Sequence, residues 1–90
     1  MRRSGYGTQR IEEAARRLVD GPRSAAYGAP PDSMRRIALA WSAILDRPVT
    51  GKEVALCMAA LKLCREAHKP KRDNRVDLVG FALIADMVSE

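Results

Sequence analysis

Apolar side chains recur along this chain at helical spacing, in four blocks separated by Gly, Pro or charged turns. In the first block Ile11, Ala14, Ala15, Leu18 and Val19 share one face, and they predict an amphipathic helix over residues 9–19. Thr8 stands at its N-cap position. Glu12 and Glu13 in the first turn and Arg16 and Arg17 near the end suit the helix dipole. Gly21-Pro22 stops it. After a Gly-, Pro- and Ala-rich loop, Asp32 or Ser33 can cap a second helix to about residue 46. Its buried face is predicted to be Met34, Ile37, Ala38, Trp41, Ile44 and Leu45.

The third and fourth blocks differ in kind. Thr50-Gly-Lys-Glu53 has the S/T-x-x-E form of a capping box and opens a helix predicted over 51–68. Within it Val54–Cys64 is interrupted only by Lys62, and in the last block Leu78–Ala85 contains no polar side chain. Asp73 is the predicted N-cap of this fourth helix, over 74–88. A helix apolar nearly all round is buried on most sides, and a small chain has little other material with which to cover two of them. Short loops favour antiparallel neighbours. The expected fold is therefore all-α, a compact four-helix domain over residues 9–90 with helices three and four as a long antiparallel hairpin. A flexible N-terminus over residues 1–8 precedes it. The core is expected to be completed by homo-oligomerisation, in the first instance as a homodimer.

Composition sharpens this picture modestly. The 90 residues fit one domain and are 47% hydrophobic, which argues against wholesale disorder. Sixteen basic against eleven acidic residues give a net charge of +5, which favours an anionic partner: a nucleotide, a nucleic acid or an acidic protein surface. Much of this charge sits at the turn between helices three and four, in Lys62, Arg65, Lys69, Lys71, Arg72 and Arg75. Such a cluster can hold phosphates or simply be a solvated helix end. No stretch is long and apolar enough for a membrane span. No secretory pattern follows Met1-Arg2-Arg3. Cys57 and Cys64 on one helix lie about 10 Å apart at ~1.5 Å rise per residue, outside the roughly 4.4–6.8 Å that a disulfide needs. They are expected to be buried thiols of an intracellular protein.

Candidate chemistry is sparse. In an antiparallel hairpin Lys62 falls across from Leu78 and its neighbour Asp77, and Arg65 across from Arg75. Asp77 lies amid Val76, Leu78, Val79 and Phe81, where a lone carboxylate is costly, so it is expected to pair with Lys62 or Arg65. That pair is either a structural ion pair or the polar end of a ligand pocket. Among the acids only Glu53 and Asp86 could converge on a Mg²⁺ ion. Cys57, Cys64 and His68 are spaced too widely to share a zinc ion. His68 is the sole histidine, so no Ser-His-Asp or Cys-His set is available. Neither a metal nor another cofactor is expected, and no catalytic residue is assigned.

One ordered run of motifs is more specific than any of these features. Tyr27-Gly28-Ala29-Pro30, Arg35-Arg36-Ile37-Ala38 with Trp41, Lys62-Leu63-Cys64-Arg65, and Asp77 with Gly80-Phe81 follow one another along residues 27–88. The run resembles small phage-encoded all-α proteins of unknown function, which carry a YGxP loop, an ERIAxLW helix, an LKxAR helix and a DxxGYxxL helix. Phe81 stands where their tyrosine is usual, and Arg36 follows Arg35 where an acid commonly precedes the arginine. The resemblance implies a phage or prophage source and the host cytoplasm. More distantly the pattern is similar to phage nucleotide-modification-associated domains and MazG-like nucleotide pyrophosphatases, but their paired ExxE motif is missing. Two functions follow as expectations. One is a non-enzymatic helical oligomer that binds a host or phage macromolecule. The other is a nucleotide-binding or nucleotide-processing bundle using Tyr27, Gly28, Lys62, Arg65, Arg75 and Asp77.

Overall fold

The computed structural model describes residues 9–21 and 28–88. Four helices occur among them: α1 (Ile11–Asp20), α2 (Pro30–Leu45), α3 (Gly51–His68) and α4 (Arg72–Met87). No strand is present among the described residues. The chain is all-α, and α3 and α4 form the expected antiparallel hairpin. α4 is the central element, with α3 and α1 packed along it and a lighter contact to α2, which lies mainly on α3.

The capping box of α3 forms as read. Thr50 Oγ1 accepts from the Glu53 amide at 3.1 Å, and Glu53 Oε1 accepts from the Thr50 amide at 2.9 Å. The other starts differ from expectation. α2 begins at Pro30, three residues before Ser33, because Pro30 and Pro31 occupy its first turn, where the missing N–H groups cost nothing and φ is already helical. Asp32 then lies inside that turn and pairs with Arg35 at 3.2 Å instead of capping. α1 follows Arg10 at its N-cap position, with no side-chain cap. Thr8, the expected cap, and the segment 1–8 lie outside the described residues.

α4 also starts early, with Lys71 at the N-cap position and Asp73 in the first turn. Glu66 replaces the expected Asp73 cap. Its Oε1 accepts from the Lys71 amide at 2.8 Å, and its Oε2 accepts from Arg75 Nη1. One carboxylate on the last turn of α3 thus ties down the start of α4. The α2–α3 turn is closed in a similar way by Ser42. Its hydroxyl donates to the Ala38 carbonyl at 2.7 Å and accepts from the Val49 amide at 2.9 Å. Asp46 ends α2 in the left-handed region at φ 55°.

The fully buried core is built mainly from small residues, with Ile37, Trp41, Met58, Phe81 and Leu83 packed partly buried against it. Val19, Met34, Ala38, Val54, Ala55, Ile84, Ala85 and Val88 form its main cluster, and Ala14, Ala15 and Val76 a second one between α1 and α4. The largest fully buried side chains are Val54, Val76 and Val88. Larger apolar residues lie outside: Leu39, Ile44, Leu45, Leu56, Leu61, Leu63 and Met87 are exposed. Two expectations are thereby corrected. Ile44 and Leu45 leave the buried face of α2, and Ile44 is 78% exposed. Cys57 and Cys64 are exposed rather than buried thiols. α3 buries the stripe of Gly51, Val54 and Ala55, and both cysteines lie on its opposite side.

Candidate functional site

The expected ion pair exists and selects Lys62. Its Nζ lies 3.1 Å from Asp77 Oδ2, with the two side chains 16% and 24% exposed. Antiparallel packing of α3 on α4 puts these positions across from one another, and the half-buried setting keeps water from separating the charges freely. Arg65 is exposed and takes no part in the pair.

Asp77 also lines a cavity of about 270 Å³ bounded by α1, α2 and α4, with Met58 of α3 completing the wall. The walls are mostly apolar, from Leu18, Val19, Met34, Ile37, Phe81 and Ile84, and Gly28 stands at its margin. The cavity is thus lined by Gly28 and Asp77 of the expected site, and Lys62 reaches it only through its pair with Asp77. Tyr27, the remaining residue of the expected site on that side, lies outside the described residues. Phe81, one of the apolar neighbours of Asp77 in the sequence, contributes an apolar wall.

Arg75 belongs to a different feature, the corner where α3 meets α4. There Arg75 is held by Glu66, and Arg72 Nη2 donates to the Gln9 carbonyl at 2.6 Å. Glu66 itself titrates below its ordinary value of 4.5. The Lys71 amide is the largest cause, burial works against it, and Arg75 and Asn74 reinforce the lowering. Arg65, His68, Lys69 and Lys71 remain exposed around this corner. None of them makes an ion pair among the described residues.

A third feature is the outward side of α3. Every exposed position between Glu53 and Arg65 is apolar and uncharged: Leu56, Cys57, Ala60, Leu61, Leu63 and Cys64. A solvated helix side normally carries charge. The sequence carries this signal in the nearly unbroken apolar run Val54–Cys64, from which self-association is expected. No group of three or more His, Cys, Asp or Glu residues could hold a metal ion among the described residues. No helix among the described residues is long and apolar enough to cross a membrane.

A small all-α domain with a thin core, a basic corner and an uncovered apolar helix side is the class these observations define. The chain belongs to a domain family of unknown function, DUF6378, which matches residues 10–89. It is also similar to the Gene 55 protein of Mycobacterium phage D29, at 31% identity over 84 residues, which is 92% of this chain and 56% of that protein. The chain thus spans just over half the length of this phage relative. No solved structure matches the chain.

Proposed function

We propose that the chain is a non-enzymatic, self-associating helical module that offers its basic α3–α4 corner to an anionic macromolecule of phage or host, inside the host cell. The observation that carries this reading is the outward side of α3, where Leu56 and Leu63 are 54% and 57% exposed and no exposed position between Glu53 and Arg65 carries a charge. Exposed apolar patches of this kind mark interaction surfaces. A core whose largest fully buried side chains are valines leaves an unusual share of the hydrophobic driving force to association. The partner's charge follows from the net +5 of the chain and from the unpaired cations at the corner.

Light scattering at micromolar protein tests the first half: a mass above the 9.9 kDa of one chain supports it, and a monomer contradicts it. The second half is tested by retention on heparin. Replacement of Arg65, Lys69 and Lys71 by Gln should shorten retention markedly, and unchanged retention contradicts a role for the corner.

A second reading rests on the cavity. Asp77 and Lys62 place an acceptor and a donor beside an apolar slot, which suits a small planar ligand such as the base of a nucleotide. Thermal shift against a nucleotide panel tests this, since a ligand well above its Kd stabilises by RT ln(1 + [L]/Kd).

A further inference from the structure

We infer that the partner on α3 is a second copy of this chain, and that the two α3 helices pair antiparallel about a two-fold axis near Ala60 and Leu61. The inference rests on the self-association proposed above and adds the surface and its orientation.

Charge along α3 chooses the orientation. Its C-terminal end carries exposed Arg65, His68 and Lys69, with Lys71 just beyond, while its first turn carries Glu53. A parallel pair would set both basic ends and both helix dipoles side by side. An antiparallel pair moves the basic ends apart along the axis, by about 14 Å between the two Arg65 positions and about 22 Å between the two His68 positions at ~1.5 Å per residue. It also brings Arg65 of each copy within about one turn of Glu53 of the other, and it opposes the dipoles. Lys62 does not interfere, because it points inward to Asp77. The apolar strip is centred so that Leu56 to Cys64 of one copy covers the same strip of the other, run in reverse. An isologous contact of this kind closes as a dimer and leaves no open end.

The two cysteines report the orientation. Both are free and exposed, and they are placed almost symmetrically about Ala60 and Leu61. In the antiparallel pair Cys57 of one copy lies level with Cys64 of the other along the axis, so a disulfide forms between these unlike positions. Like cysteines lie about 10 Å apart along the axis, outside the roughly 4.4–6.8 Å range between Cα atoms. In a parallel pair like meets like.

The experiment is mild oxidation with diamide, followed by non-reducing electrophoresis of the wild-type chain, Cys57→Ser, Cys64→Ser and an equimolar mixture of the two variants. Light scattering is run in parallel on reduced protein. The expected result is a covalent dimer for the wild type and for the mixture, with at least tenfold less for either variant alone. Variants that cross-link alone as well as the wild type overturn the antiparallel arrangement. A reduced dimer that cross-links in no sample overturns the assignment to α3 but leaves self-association standing. A reduced monomer overturns both.

Discussion

Lys62 on α3 and Asp77 on α4 join at 3.1 Å with both side chains mostly withdrawn from water, whereas Asp86, near the C-terminal end of α4, is exposed. Removing one partner from a fully buried pair costs about 3–5 kcal/mol, and from an exposed pair about 0–1 kcal/mol. Asp77→Asn should fall between these limits, at about 1–3 kcal/mol, and Asp86→Asn should stay within about 0.5 kcal/mol of wild type. Urea midpoints of the two variants check this. Equal, negligible shifts would make the pair a surface contact.

Glu66 makes stability depend on pH. Its carboxyl titrates below the ordinary value of 4.5 in the fold, chiefly through the Lys71 amide. A lowered folded value means that its contribution is present above the unfolded value and is lost as pH falls through the folded one. The wild type should therefore lose more stability than Glu66→Gln between pH 6 and pH 3, and the two melting curves should converge at the acid end. Parallel Tm profiles would contradict this assignment.

Gly80 is buried on α4 where α1 crosses it. A Cβ there would meet Val19 Cγ2 at 3.8 Å and the Ala15 carbonyl oxygen at 3.9 Å, both ordinary contacts. Gly80→Ala should be tolerated and should stabilise the chain by up to ~0.5–1 kcal/mol through helix propensity. A Gly80→Leu variant should lose stability by overpacking, by about 1–3 kcal/mol. Thermal denaturation separates the two.

Leu63 and Leu83 are both apolar residues of the hairpin, yet they should respond differently to charge. Leu83 packs against both core clusters, and Leu63 is exposed on α3. Leu83→Glu buries an unpaired carboxylate and should cost about 3 kcal/mol or more. Leu63→Glu should keep its helical circular dichroism while lowering the mass seen by light scattering. Loss of helicity in Leu63→Glu would place that residue in the fold rather than at an interface.

Much of the fold was legible in the sequence because helices announce themselves locally. Apolar spacing, Gly and Pro stops and the Thr50–Glu53 box depend only on neighbours within a turn or two, and they located α3 to the residue. The Lys62–Asp77 pair was legible for a related reason: once two helices are known to be antiparallel around a short turn, the turn sets which positions face each other. The early start of α2 was also readable, since Pro30-Pro31 suits a first helical turn, but Asp32 and Ser33 offered a competing cap.

Tertiary structure decided what periodicity could not. In α3 and α4 apolar residues occupy nearly every side, so the sequence carries no phase to say which stripe faces inward. Packing chose the small side chains Gly51, Val54 and Ala55 of α3 for the core. α4 lies between α3 and α1, and short side chains let it approach both closely. Leu56, Leu63, Cys57 and Cys64 were left outside in consequence. The same holds at the corner, where Glu66 rather than Asp73 meets the first amide of α4. Both acids are near in sequence, and only the path of the turn through space brings one of them within hydrogen-bond reach.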